Sequence, residues 1–319
     1  MNIVFLDRAT LGPSVSFPKP AFVHHWTEHP QTMREQTIAR LQGANIAITN
    51  KVVIDETVLD GCPNLQYIAV AATGMNVVDL KACAERGITV ANVSDYATQD
   101  VAEHTFMLML ALTKQLKAYS AALAQGQWQA SKQFCFFLDG QPAISTLRGK
   151  TLGLIGTGNI AQATAQIAEA FAMDVVYYSP SGRIAVGNVA CMPLKQLLST
   201  SDIISIHCPL TEQTQTLIGA KELELVKPSA LLINTARGPI VDINALLNAL
   251  QRKKLAGAGL DVLPQEPPEQ DSDIMQALDN PRLIVTPHSA WASHNAMQTL
   301  ANQLIYKMEK FVTSQAEPD

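Results

Sequence analysis

Arg237, Glu266 and His288 are the residues of this 319-residue sequence whose types and positions invite chemistry. Each stands shortly after an apolar run: L-L-I-N-T-A-R for Arg237, G-A-G-L-D-V-L-P-Q-E for Glu266 and L-I-V-T-P-H for His288. Such spacing sets all three in loops beyond the carboxyl ends of strands, the edge at which open α/β sheets bind ligands. A guanidinium holds a carboxylate and a carbonyl oxygen through paired, charge-assisted bonds. An imidazole exchanges a proton near neutral pH, and a neighbouring carboxylate orients it and favours its protonated form. Singly, each residue also has a plain structural reading, and a lone histidine after a strand usually takes it. As a set they suit a substrate that carries both a carboxylate and a carbonyl.

What joins the set to a reaction lies upstream. Thr151–Ala161 reads T-L-G-L-I-G-T-G-N-I-A, an apolar strand, then Gly156-x-Gly158-x-x-Ala161, then a helix. A glycine pattern alone is weak, but strand before and helix after are the context that a dinucleotide fingerprint requires. Gly156 allows the tight turn, Gly158 lets a pyrophosphate approach the backbone, and small Ala161 permits close helix–strand packing. The phosphates then sit at the helix N-terminus, at Asn159 and Ile160. A nicotinamide donor beside the trio makes the reaction a hydride transfer to or from a small 2-keto or 2-hydroxy acid. Arg237 then binds and polarises the substrate, His288 is the acid/base, and Glu266 is its partner.

The second strand of that unit, D-V-V-Y-Y, ends in Ser179-Pro180-Ser181-Gly182-Arg183, and no Asp or Glu occurs from Val175 to Ala190. A carboxylate there binds a ribose 2′-hydroxyl and repels a 2′-phosphate; a serine and a guanidinium attract the phosphate. Ser179 and Arg183 therefore favour NADP(H) over NAD(H), which stays open as the alternative.

These loops need strands beneath them. Short apolar runs predict strands at Ile3–Leu6, Asn45–Ile48, Gln66–Ala71 and Ile88–Ala91, with helices at Gln31–Gln42 and Val77–Glu85 between them. Asp100–Leu123 reads as one long helix with almost no polar face in its first half, hence deeply buried. Gln125–Lys150 lacks periodicity but carries Trp128, Phe134, Phe136 and Phe137, an arm to be buried against something, such as a second subunit. From Thr151 a second strand series runs T-L-G-L-I, D-V-V-Y-Y, I-I-S-I, A-L-L-I-N, G-A-G-L and L-I-V-T, with helices including Ile160–Phe171 and Ile243–Gln251. A last helix, Ser293–Thr313, has no strand of its own and is expected to pack back onto the first domain.

Composition narrows the class. Hydrophobic residues make up 47% of the chain and the formal net charge is -5, with no basic block that would suit nucleic acid or a membrane surface. No apolar stretch approaches a membrane span, and M-N-I-V-F-L-D reads as a strand rather than a signal peptide. Five scattered cysteines show no metal spacing and read as reduced thiols, so a cytoplasmic location and no metal are expected.

The sequence resembles the D-isomer-specific 2-hydroxyacid dehydrogenases over essentially its whole length. The most specific segments are I-N-T-A-R-G at Ile233–Gly238, G-L-D-V-L-P-Q-E-P-P at Gly259–Pro268 and T-P-H-S-A-W-A at Thr286–Ala292. F-L-D-R near the start, A-V-A-A-T-G-M-N at Ala69–Asn76 and S-K-Q-F-C-F-F at Ser131–Phe137 resemble the glycerate dehydrogenase (hydroxypyruvate reductase) branch. The resemblance implies an α/β fold of two doubly wound parallel-sheet domains. A Rossmann-type cofactor domain, residues 100–287 with a dimerisation helix and arm, is inserted in a flavodoxin-like substrate domain, residues 1–99 and 288–319. It further implies that amides at Thr73 and Gly74 hold the substrate carboxylate, and that the chain is a homodimer. Cofactor contacts are implied at Thr105, His207, Pro209, Thr235, Ala236 and Asp261. Lys51 reads either as a further carboxylate contact or as a solvated lysine, and Trp128 and Trp291 as core, interface or pocket-wall aromatics. The substrate implied is hydroxypyruvate, with glyoxylate second. The alternatives are another 2-keto acid, 3-phosphoglycerate, or a non-catalytic dinucleotide-sensing corepressor-like role; no cation cluster for a substrate phosphate is evident and the tail is short.

Overall fold

The computed structural model describes residues 1–139 and 143–316; residues 140–142, within the predicted arm, and 317–319, at the end of the tail, lie outside the described residues. The chain divides into two units, Met1–Ala97 with Trp291–Asp319, and Thr98–Ala290. His288 therefore belongs to the second unit.

The first unit holds β1 (Asn2–Phe5), β2 (His25–Glu28), β3 (Ile46–Thr49), β4 (Tyr67–Val70) and β5 (Thr89–Asn92). All pair in parallel, in the order β2-β1-β3-β4-β5. β3 and β4 are buried at every position, as strands covered on both faces must be. β2, H-W-T-E, is a half-exposed edge strand and gives no apolar run, so only its neighbours were predictable. One face of this sheet is covered by the last helix, His294–Ala316, whose Leu300, Ala301, Leu304, Met308 and Phe311 pack on Ile3, Phe5, Ile46, Ile48 and Tyr67. Phe311 lies 4.6 Å from the Tyr67 ring, and Trp291 meets Tyr96 edge-on at 6.2 Å. The helix predicted over Gln31–Gln42 is shorter, Thr37–Leu41, after a 3-10 turn at Arg34–Gln36. The one predicted over Val77–Glu85 begins at Leu80, where Asp79 caps it by accepting from the Ala82 amide at 2.9 Å.

The second unit contains β6 (Thr151–Ile155), β7 (Asp174–Tyr178), a two-strand ribbon of β8 (Ala185–Val186) and β9 (Val189–Ala190), then β10 (Ile203–Ile206), β11 (Leu231–Asn234), β12 (Gly257–Leu260) and β13 (Leu283–Val285). The six main strands are parallel, in the order β13-β12-β11-β10-β6-β7. Both sheets are thus doubly wound, reversing between β1 and β3 in the first unit and between β6 and β10 in the second.

The single long helix expected over Asp100–Leu123 is two helices, Thr98–Thr113 and Leu116–Ala124. Gln115, at φ 53, turns the chain between them, and Thr113 Oγ1 bonds back to the carbonyl of Met109 at 2.9 Å. Neither feature needs Gly or Pro, so nothing in the sequence announces the break. In the following segment Phe134 is 94% exposed and Phe137 70% exposed within the chain. No described helix is long and apolar enough to cross a membrane, and the described residues contain no cluster of metal-ligating side chains.

Candidate active site

Gly156 ends β6 at φ +117, a conformation that side chains resist, and a Cβ there would stand 2.6 Å from the carbonyl oxygen of His207, just beyond β10. The two strands flanking the reversal are thereby pressed together, with the Gly156 amide donating to Tyr178 O and that of His207 to Ile155 O. Gly158 is different. It caps the helix Asn159–Ala170 at an ordinary φ of -77, and nothing lies within 4 Å of where its Cβ would be. Nothing in the protein itself requires a glycine there. The open space at a helix N-terminus fits a pyrophosphate approaching the backbone. Ala161 is fully buried against the sheet, which leaves no room for a larger third residue.

The segment after β7 curls toward that helix start. Ser179 Oγ accepts from the Arg183 amide at 3.0 Å and lies 3.1 Å from Ser181 Oγ, and Arg183 Nη1 donates to Thr157 O at 3.3 Å. The Ser179 and Ser181 hydroxyls are thus held together and the Arg183 guanidinium is turned toward Thr157, just before the helix start. His207 lies 2.8 Å from Ser205 Oγ, and burial pushes its imidazole down to about 3, so the ring is neutral. Pro209 accepts from Thr214 Oγ1 at 2.6 Å. Thr105 is fully buried, with its hydroxyl donating to Val101 O and 3.1 Å from Thr235 Oγ1. It supports Thr235 from beneath.

Arg237 follows β11. Asn234 shapes its turn, with Nδ2 donating to Arg237 O at 2.9 Å and Oδ1 accepting from the Ala236 amide at 3.0 Å, while Arg237 Nη1 donates to Ala236 O at 2.7 Å. The next residue, Gly238, has a fixing role that composition does not reveal: a Cβ there would fall 2.0 Å from the Leu263 carbonyl carbon and 2.4 Å from Pro264 N. The Arg237 turn thus packs directly on the backbone of the loop that carries Glu266.

Glu266 and His288 form one bonded pair. Glu266 Oε1 accepts from the Leu263 amide at 2.8 Å, and Oε2 lies 2.6 Å from His288 Nδ1, with both side chains partly exposed. A carboxylate can only accept, so His288 Nδ1 is the donor and Nε2 is left for chemistry. Asp261, expected as a cofactor contact, is 1% exposed and spends its carboxylate on the His288 turn. Its Oδ1 accepts from the Ser289 amide at 3.0 Å, and its Oδ2 from that of Ala290 at 2.9 Å.

In the first unit, Thr73 and Gly74 follow β4, and Asn92 Nδ2 donates to Thr73 O at 2.6 Å. At the reversal between β1 and β3, the buried Asp7 accepts from the amides of Asn50 at 2.9 Å, Lys51 at 2.6 Å and Val52 at 3.3 Å. Burial pushes its carboxyl up, and those amides pull it the other way. The F-L-D-R segment is part of the family resemblance, and the physical use of its acid is this clamp on the Lys51 turn.

Residues 106–290 match the family model described as D-isomer specific 2-hydroxyacid dehydrogenase, NAD binding domain. The chain is 43% identical to a glycerate dehydrogenase of Methylorubrum extorquens over 99% of this chain and 98% of that one. It is 35% identical to a hydroxypyruvate reductase of Blautia hydrogenotrophica, over 88% and 86% of the two chains. A D-lactate dehydrogenase from Aquifex aeolicus, solved with NAD and lactic acid, superimposes with a TM-score of 0.81 at 28% identity, covering 98% of this chain and 96% of that one. With a nicotinamide-dinucleotide-binding unit and this pattern of loops, the chain belongs to the D-isomer-specific 2-hydroxyacid dehydrogenase family.

Proposed function

We propose that this chain reduces hydroxypyruvate, and glyoxylate as a second substrate, to the D-2-hydroxy acid, preferring NADPH to NADH. The observation that carries the reading is the 2.6 Å His288–Glu266 pair, in the same unit as the glycine loop. When bound, the dinucleotide supplies the hydride. Arg237 holds the substrate carboxylate and carbonyl oxygen, so that negative charge developing on that oxygen is met by a guanidinium. His288 Nε2 delivers the proton to the same oxygen, and Glu266 keeps the ring oriented while it carries charge. In the first unit, the amides of Thr73 and Gly74 after β4 are the carboxylate-binding groups, which makes that unit the substrate domain and the second the cofactor domain. Gly156, Gly158, Asn159, Ile160, His207, Pro209, Thr235 and Ala236 line the dinucleotide, with Asp261 and Thr105 acting from behind that surface. Ser179 and Arg183, drawn together with Ser181, support the preference for the 2′-phosphate. The exposed Leu116, Trp128, Phe134 and Phe137 support a homodimer through this helix and arm.

Initial rates with hydroxypyruvate, glyoxylate, pyruvate and 2-ketoisovalerate, each with NADPH and NADH, test this reading. Hydroxypyruvate with NADPH is expected to be fastest, and turnover of none of the four would refute it. In Ser179→Asp the ratio of kcat/KM for NADPH to that for NADH should fall by roughly tenfold or more, since like charges brought together cost several kcal/mol. An unchanged ratio removes Ser179 from cofactor choice.

A further inference from the structure

His104 lies on the helix Thr98–Thr113, one turn before the buried Leu108, and its side chain is 16% exposed. Its Nε2 is 2.9 Å from Thr286 Oγ1 and 3.4 Å from Asp261 Oδ1. The direction of the bonds follows from what each group can do. Asp261 accepts only, so the Thr286 hydroxyl donates to Oδ1, at 2.5 Å. With its hydrogen committed there, Thr286 Oγ1 must accept from His104, whose Nε2 therefore carries a proton. Burial holds the His104 imidazole below its usual range against the pull of Asp261, so a neutral ring supplies this donor.

The chain of bonds ends on the catalytic turn. Asp261 takes the Ser289 and Ala290 amides on its carboxylate and the His288 amide on its backbone carbonyl, the last at 2.8 Å. His288 itself sits at φ 53, a left-handed conformation that a residue with a side chain holds only where its surroundings impose it. Every residue from Thr286 to Ala290 other than Pro287 is bonded to Asp261 or to its neighbour Leu260.

We propose that His104 is a positioning residue for this reaction: through Thr286 and Asp261 it locks the strained His288 turn to the helix Thr98–Thr113. The role rests on the reading of His288 as the proton donor, but the lock itself is a property of the turn. Without the His104 donor, the Thr286 hydroxyl is free to turn its hydrogen away from Asp261, which leaves the carboxylate held by the Ser289 and Ala290 amides alone, and the His288 ring samples more than one orientation.

The test compares His104→Phe, which keeps a flat ring without the donor, with His104→Gln, which restores an N–H at similar reach. Two quantities are measured: hydroxypyruvate reduction with NADPH, and amide hydrogen exchange at Ser289 and Ala290 without substrate. His104→Phe is expected to lower kcat roughly tenfold, within the hundredfold that a misplacement of about 1 Å can cost. The dissociation constant for NADPH should stay within about twofold, and both amides should exchange faster. His104→Gln should recover most of kcat and of the protection. If His104→Phe does not fold, Thr286→Val removes the middle link and is expected to give the same pattern. Unchanged kcat and exchange in the Phe variant, or a Gln variant as impaired as the Phe one, overturns the proposal. A wild-type protein that turns over no 2-keto acid sinks the functional reading instead, and the exchange measurement still decides the lock.

Discussion

The two sheets reverse their strand order at equivalent points, and the chain treats the two crevices in opposite ways. Between β1 and β3 it places its own carboxylate: Asp7 takes the amides of Asn50, Lys51 and Val52, the kind of donor cluster that elsewhere binds an anion from outside. Between β6 and β10 it places no acid. Gly156 closes the backbone against His207, and Gly158 leaves the start of the next helix open. One switch point has an internal anion and becomes a rigid corner. The other keeps its donors for a ligand. Doubly wound topology alone therefore tells where a ligand can bind, and the side chain at the strand end tells whether that place is still available.

Filling the open crevice should give the largest effect. Gly158→Asp has no backbone strain to contend with at φ -77, so the fold should survive, with Tm within about two degrees of wild type for a change this small in stability. The new carboxylate occupies the pyrophosphate's space, and NADPH affinity should drop roughly hundredfold or more, read by fluorescence titration. Gly156→Ala is the contrasting substitution. Positive φ and the His207 carbonyl at 2.6 Å mean that it should lose stability and cofactor together. If both variants behave alike, the distinction between ligand space and fold space is wrong.

Emptying the filled crevice comes next. Asp7→Asn turns an NH₂ toward amides that need an acceptor, which should cost about 1–3 kcal/mol in a denaturant titration. NADPH affinity should be unchanged, because the clamp and the glycine loop belong to different units. A loss of cofactor binding would break the comparison.

The last effect concerns acid. His207 is held at about 3 by burial, whereas in the unfolded chain it titrates near 6.5. Between those values the unfolded chain holds the extra proton. The stability of the neutral buried ring is therefore complete above about pH 6.5 and lost as pH falls toward 3, by at most about 1.4 kcal/mol per pH unit. His207→Gln should flatten that slope; an identical slope in the variant would place the acid sensitivity elsewhere.

Much of this was readable because parallel strands buried on both faces spell short apolar runs, and functional loops begin where the runs stop. β6, the tight turn at Gly156 and the helix that opens at Asn159 were legible, and so was the pairing of Glu266 with His288. Edge strand β2 was not, since half-exposed H-W-T-E has neither alternation nor an apolar run. The break at Gln115 was not, since a single left-handed residue without glycine carries no signal. Asp261 and Thr105 are positions that the family resemblance names, whereas their burial and their bonds, to the His288 turn and to Val101 and Thr235, exist only in the folded chain. Gly238 and His104 were silent for a related reason: each acts on a loop distant in sequence, through a close approach or a bond that only the folded chain creates. The one available hint for Gly238 was its place directly after Arg237.

In the proposed reaction His288, paired with Glu266, passes the proton to the reduced carbonyl. The most direct measurement is kcat for hydroxypyruvate reduction by NADPH in His288→Asn, with NADPH affinity measured in parallel. A fall in kcat of roughly a hundredfold to ten-thousandfold with cofactor affinity intact is expected. A kcat within about twofold of wild type would contradict it.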